Sequence, residues 1–170
     1  MIRVVTLDDY DPKALQTLCK LLYQAFGVGS EHSGQHPPPA GLVEPFDGHK
    51  LMEQAPNVRA FTDDKVLYVT NRKLAPRKLV SGEAPTYGLA QYGGQRALVS
   101  TAHVKNVTDN IKTVARFAMQ ELGHTWGLHH CLDVRCAMYP EWVPVYLQGE
   151  PTFCVFCREQ SENTIRNAKS

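Results

Sequence analysis

Four cysteines near the C-terminal end constrain the fold of this chain more than any other feature. Cys131, Cys136, Cys154 and Cys157 all fall within the last 40 of its 170 residues. Cys154 and Cys157 have the C-x-x-C spacing of zinc knuckles, and four thiolates around one zinc ion make a closed structural site. Disulfide bonds are the alternative, but clustered cysteines in a chain without a secretion signal favour a metal. We therefore expect a zinc-stapled C-terminal part.

The composition indicates an ordinary globular protein. Hydrophobic residues make up 43% and charged residues 21%, and the formal net charge is +1. This balance gives no argument for binding to nucleic acid or to an anionic membrane. The chain has no apolar run of about twenty residues, so no membrane span is expected. Its first residues favour a strand over a signal peptide, and we expect a cytoplasmic protein that is a monomer.

The N-terminal part has an α/β pattern. Residues 2–7 are mainly apolar and predict a strand. A helix should begin at Pro12, the position that proline favours, and end at Gly27. Residues 30–48 are rich in proline and glycine and predict a loop. The fifth cysteine, Cys19, lies in the helical pattern and is expected to be a small buried residue.

Further strands are predicted at residues 65–70, 87–92 and 95–101, and the last two are joined across the hairpin signal Gly93-Gly94. A helix should then run from Thr108-Asp109 to about Gly127, and another from about Cys154 through Arg166. The fold class is thus α/β (α+β), with a twisted mixed sheet and helices. We expect one compact domain with an N-terminal subdomain at residues 1–127 and a C-terminal subdomain at residues 128–170.

The segment from Gln120 to His130 carries the chemistry. Gln120 and His124 are four residues apart, which places them on one face of a helix, as two ligands of one zinc ion would be. Glu121 lies beside that face, within reach of a metal-bound water. Gly127 ends the helix and lets His130 return toward the same point. Three protein ligands would leave a fourth position for water, which is the catalytic arrangement.

These residues follow the metzincin pattern, H-E-x-x-H-x-x-G-x-x-H with a later Met-turn. The archaemetzincin version places a cysteine directly after the third histidine, a second cysteine two residues before the methionine, and a C-x-x-C pair further on. The chain has these features at Glu121, His124, Gly127, His130-Cys131, Cys136-Ala137-Met138 and Cys154-Val155-Phe156-Cys157. It therefore resembles an archaemetzincin, a zinc metallopeptidase of the metzincin clan.

The resemblance implies a peptidase with two Zn²⁺ ions, one catalytic and one structural. His124 and His130 would bind the catalytic zinc, and Glu121 would be the general base. Met138 would form the hydrophobic floor of the site. The substrate would be a peptide or protein, paired in extended form with the strand at residues 87–92 or with its hairpin partner.

Gln120 departs from this pattern because it occupies the position of the first histidine. A neutral amide oxygen is a poor zinc ligand, so two alternatives remain. In one, zinc is still held by His124, His130 and either Gln120 or an extra water, and the chain is a weak peptidase. In the other, the chain is an impaired peptide-binding protein that keeps only the structural zinc. The adjacent His129 should point away from His130 and is expected to be a surface residue.

Overall fold

The computed structural model describes residues 1–140 and 149–169. From the sequence we expect both Trp126 and Trp142 to be packing residues, and Trp142 lies outside these ranges. The described part contains seven strands and four helices. In chain order they are β1 (Ile2–Thr6), α1 (Pro12–Phe26), β2 (Ser30–Gln35), α2 (Gly48–Gln54), β3 (Lys65–Thr70), β4 (Arg77–Leu79), β5 (Gly82–Ala84), β6 (Gly88–Ala90), β7 (Arg96–Ser100), α3 (Ile111–Thr125) and α4 (Val155–Ala168).

Five strands form one mixed sheet in the order β2-β1-β3-β7-β6. The first four are mutually parallel, and β6 runs antiparallel to β7 at the edge. This confirms the predicted mixed sheet and the hairpin across Gly93-Gly94. Strands β4 and β5 form a separate two-stranded hairpin, which stands between β3 and β6 in chain order.

The two faces of the sheet pack on different layers, because side chains alternate along each strand. Val4 and Leu67 point into the larger core with α1, α3 and α4, whereas Val5 and Tyr68 point into a smaller core with α2. The C-terminal part belongs to the larger core, where the ring centroid of Phe153 lies 5.2 Å from that of Phe26. Trp126 is buried there too, as expected for a packing residue.

The prediction of a loop across residues 30–48 is wrong at both ends. Ser30–Gln35 forms the edge strand β2, and Gly48 already begins α2. β2 could not be predicted from the sequence because it has no fully buried residue. Its polar sequence therefore lacks the apolar alternation of a half-buried strand. Asp47 caps α2 by accepting hydrogen bonds from the backbone N–H groups of His49 and Lys50.

The start of α3 also differs from the prediction. The helix begins at Ile111 instead of at Thr108-Asp109. The Asn110 side chain donates a hydrogen bond to the Lys105 carbonyl oxygen at 2.6 Å and so ties the helix to the loop before it. The Asn110 side chain makes no capping hydrogen bond to the first turn of the helix. That turn starts later than the residues Thr108-Asp109 predict.

Candidate active site

The end of α3 has a backbone geometry that brings His124 and His130 together. Gly127 has a φ of +80°, a left-handed conformation that costs glycine little. The N–H of Gly127 bonds to the His124 carbonyl oxygen, and the N–H of Leu128 bonds to that of Gly123. These two bonds define a Schellman motif, which ends the helix and reverses the chain. The reversed segment then leads directly to His130.

The rings of His124 and His130 pack edge to face, with their centroids 4.9 Å apart and their planes at 71°. The Nδ1 of His124 is 2.8 Å from the Leu128 carbonyl oxygen. Since a carbonyl oxygen only accepts, Nδ1 carries the proton and Nε2 keeps its lone pair. Metal-binding histidines typically use their second nitrogen in this way. Burial lowers the pKa of both His124 and His130, which favours the neutral imidazole that a metal needs.

Gln120 lies on the same cleft wall as these histidines. Its residue is 9% exposed, and within residues 1–140 and 149–169 its side chain has no assigned hydrogen bond. The side-chain amide of Gln120 therefore does not stabilise the fold by a hydrogen bond to that part of the chain. Its role as a weak ligand stays a prediction, because an amide offers a metal only a neutral oxygen.

The carboxyl group of Glu121 lines the same cleft under strand β6. A β-carbon built on Gly88 would lie 2.6 Å from the Glu121 Cγ and 2.8 Å from the Leu98 carbonyl oxygen. Glycine at this position is what allows the carboxylate to lie against the strand. Burial raises the pKa of Glu121 to about 8, and the charge of Arg77 opposes that shift. A cation at the histidines would oppose it further.

The cleft has a volume of about 190 Å³ and lies between β6 and α3. Several residues of the cleft were not predicted from the sequence, notably Gly88, Arg77 and Arg116. Two of them left a signal in the sequence. Gly88 interrupts a strand pattern, and Arg116 precedes Gln120 by one helical turn, on the same face of α3.

His129 is exposed, as expected for a surface residue, and it does not line the cleft. Its Nε2 lies 2.8 Å from the Tyr92 hydroxyl, and that hydroxyl donates to the Gly127 carbonyl oxygen at 2.7 Å. Tyr92 thus supports the turn that presents His130.

Met138 is completely buried and packs against α3 at Gly123. A β-carbon built on Gly123 would be 2.5 Å from its sulfur. The N–H of Cys131 bonds to the Met138 carbonyl oxygen at 2.9 Å. The turn around Met138 is therefore joined to the segment that follows His130.

The four C-terminal cysteines converge on one point. Their sulfur atoms all lie within 4.8 Å of one another, and those of Cys131 and Cys154 are 3.8 Å apart. A tetrahedron with Zn–S bonds of about 2.3 Å has sulfurs about 3.8 Å apart. All five cysteines are free thiols, so the spacing fits zinc and not disulfide bonds.

Backbone N–H groups surround these sulfurs, as they do in zinc knuckles. The Cys136 sulfur accepts from the N–H groups of Met138 and Cys154, and the Cys154 sulfur accepts from that of Cys157. Burial raises the pKa of Cys136 to about 11 and also raises that of Cys157. Such thiols ionise together only when a cation offsets their burial and mutual repulsion. Within the described ranges, no other group brings three or more His, Cys, Asp or Glu ligands together.

The sequence profile of peptidase family M54 matches residues 46–163, which include both the cleft and the cysteine cluster. The chain belongs to peptidase family M54. It is 31% identical to an archaemetzincin of Methanopyrus kandleri over 107 residues, which are 61% of this chain and 58% of that protein. It is 32% identical to an archaemetzincin of Halobacterium salinarum over 91 residues, which are 47% of this chain and 50% of the relative.

The crystal structure of the Methanopyrus kandleri archaemetzincin has the same fold as this M54 chain. The two superpose with a TM-score of 0.76 at 21% identity, over 97% of this chain and 94% of that structure. The sequence matches to the curated relatives span only 50–58% of their length. None of the helices described for this family member is long and apolar enough to cross a membrane.

Proposed function

We propose that this chain is a zinc-dependent peptidase that hydrolyses peptide bonds in the cleft between β6 and α3. Membership of a peptidase family supports this function. The main observation in its support is the edge-to-face packing of His124 and His130 at a cleft that Glu121 also lines. Two neutral imidazoles beside one enclosed carboxyl group are the parts that metal-assisted hydrolysis needs.

In this proposal each side chain has a separate task. His124 and His130 hold zinc, which when bound polarises the peptide carbonyl and acidifies water. The hydrogen bond from His124 Nδ1 to the Leu128 carbonyl oxygen fixes the ring for that purpose. Glu121 takes a proton from the attacking water and delivers it to the leaving amine. Met138 supports the histidines from below.

The substrate would bind as an additional strand. β6 lies at the edge of the sheet and borders the cleft. An extended peptide that pairs with this edge would run past Glu121 and the two histidines, with its amide groups bonded to the strand. A peptide or protein is therefore the proposed substrate, in agreement with the family.

A second zinc would be held by Cys131, Cys136, Cys154 and Cys157. The spacing of their sulfurs and the N–H groups around them support this assignment. This zinc would be structural, because four thiolates leave no open position. It would join the Met138 turn to the start of α4 and so hold the C-terminal subdomain, residues 128–170. A reducing compartment such as the cytoplasm keeps thiols available for such a site.

A second candidate function follows from Gln120. With two imidazoles and one amide, the catalytic zinc would bind less tightly than in a site with three histidines. A chain that retained only the structural zinc would bind peptides along β6 without cleaving them. Metal content separates this candidate from the peptidase.

The deciding measurement is the number of zinc ions per chain, in protein purified without chelators, by native mass spectrometry. Anomalous scattering from crystals would locate each ion. We expect two zinc ions, one of them beside His124 and His130. A single zinc at the cysteines would favour the peptide-binding protein, and the peptidase would then depend on a higher supply of metal.

A further inference from the structure

The described residues that line the cleft include the guanidinium groups of Arg77 and Arg116 and one carboxyl group, that of Glu121, beside the two histidines. A metal ion would add positive charge. A cleft of this charge favours an anionic ligand.

Arg116 is a fixed part of this charge. It is 7% exposed, and its Nη2 donates a hydrogen bond to the Tyr139 carbonyl oxygen at 3.1 Å. The side chain therefore links α3 to the Met138 turn, and its charge remains near the bottom of the cleft.

Arg77 differs from Arg116 because it is exposed. Some arginines of the described ranges pair with acidic groups, such as Arg3 with Asp64 and Arg72 with Asp8. Within those same ranges Arg77 has no assigned hydrogen bond or ion pair. Its side chain nevertheless reaches the site, since it lines the cleft together with Glu121 and His130. Its guanidinium group thus retains its donors for a ligand.

The β4–β5 hairpin is anchored at its base, and this fixes the position of the Arg77 backbone. Leu74 is buried in the smaller core, three residues before Arg77. On the other side of the hairpin, the Thr86 hydroxyl donates to the Ala75 carbonyl oxygen at 2.8 Å. From Thr86 the chain continues within two residues into β6. Arg77 is therefore held next to the strand on which a peptide would lie.

We propose that the cleft selects peptides that carry a carboxylate close to the bond to be cleaved, and that Arg77 is the residue that binds this carboxylate. The planar guanidinium group can donate two parallel hydrogen bonds to one carboxylate, which gives direction as well as charge. The carboxylate can come from the C-terminus of the peptide or from an Asp or Glu side chain. This inference rests on the proposed peptide-binding role of the cleft.

The test uses the full chain loaded with zinc and three labelled peptides of one length. The first has an amidated C-terminus and a glutamine at the scanned position, the second has a free C-terminal carboxylate, and the third has glutamate in place of glutamine. Affinity is measured by fluorescence anisotropy, and hydrolysis by mass spectrometry. The variants are Arg77→Gln and Arg77→Glu. Lys78→Gln is the matched control, because adjacent residues of a strand point to opposite faces and Lys78 does not line the cleft.

We expect one carboxylate-bearing peptide to bind at least about tenfold more tightly than the neutral peptide. Arg77→Gln should remove this preference, Arg77→Glu should reverse it, and Lys78→Gln should retain it. Preference for the second or the third peptide identifies the source of the carboxylate. Equal affinity for all three, or a preference that survives Arg77→Gln, overturns the inference.

The two proposals fail in different ways. If peptides are cleaved with no preference for a carboxylate, the peptidase stands and the role of Arg77 is wrong. If binding depends on Arg77 and no peptide is cleaved, the role of Arg77 stands and the hydrolytic function is wrong.

Discussion

The sulfur of Met138 occupies the space that a β-carbon on Gly123 would need, since such a carbon would lie only 2.5 Å from it. Gly123 directly precedes His124 on α3. The glycine therefore lets the turn that contains Met138 pack closely against α3. This contact connects that turn to the helix that carries His124.

Gly123→Ala should destabilise the protein by about 1–3 kcal/mol, because the new methyl group overpacks against Met138. In a Met138→Ala background the same change should be neutral or stabilising by up to about 1 kcal/mol, since alanine favours a helix over glycine. Urea unfolding of the two single variants and the double variant measures both values. If Gly123→Ala cost the same in both backgrounds, the contact would not limit packing.

Gly88→Ala should lower kcat/KM by about a hundredfold, because the added methyl group displaces the Glu121 carboxyl group. Peptide hydrolysis by purified variants tests this, with the melting temperature as a check on folding. In a Glu121→Gln background the additional loss should disappear, since the base that Gly88 accommodates has already been removed. An undiminished rate in folded Gly88→Ala would show that the space at Gly88 does not control the position of the Glu121 carboxyl group.

Gln120→His should increase the occupancy of the catalytic zinc and raise kcat/KM, because imidazole is a far better zinc ligand than an amide. Zinc titration and peptide hydrolysis measure the two effects. Gln120→Asn, which keeps the amide, is the control and should produce neither gain. If neither the parent protein nor Gln120→His bound zinc at His124 and His130, the two histidines would not form a metal site.

Cys157→Ser should release one zinc ion and lower the melting temperature by on the order of 10 °C, since structural zinc contributes directly to folding free energy. Cys19→Ser is the control, because Cys19 lies in α1 and outside the cysteine cluster. Hydrogen exchange should become faster in α4 and the Met138 turn. Zinc loss without any change in melting temperature would contradict a structural role.

Asp64 should make the stability depend on pH in the acid range. Its burial opposes ionisation, but hydrogen bonds from the Ala60 N–H and from Arg3, and the Met1 amino group, outweigh that effect and lower its pKa to about 2. A lowered pKa stabilises the folded state above the unfolded value of about 4, and the contribution is lost as the pH falls toward 2. The contribution at neutral pH is about 2 kcal/mol.

Asp64→Asn should remove this contribution at pH 7 and flatten the stability profile between about pH 4 and 2. Urea unfolding at several pH values tests the expectation. The control is Asp63→Asn, an exposed neighbour, whose profile should match that of the parent protein. If the free energy of unfolding fell equally below pH 4 in Asp64→Asn and in the parent protein, the ion pairs of Asp64 would not be the cause of the pH dependence.

Much of the fold was predictable because its elements have strong local signals. The helix Pro12–Phe26 has a proline at its first turn and a glycine after its last residue, and Lys65–Thr70 is a nearly continuous apolar run. The edge strand β2 and the β4–β5 hairpin were not predicted. Their residues are mostly exposed, so apolar burial leaves no periodic pattern in the sequence.

The sequence by itself determined which residues can do chemistry. The spacing of Glu121, His124 and His130 is local, because it depends on one helix and one glycine turn, and four cysteines near one end of the chain indicate a metal. Only the tertiary structure placed Gly88 and Arg77 against that helix. These residues lie more than 30 positions before Glu121, and no local periodicity records a contact across that distance. The sheet order puts β6 at the edge beside α3, and packing between distant segments then decides what the cleft can bind.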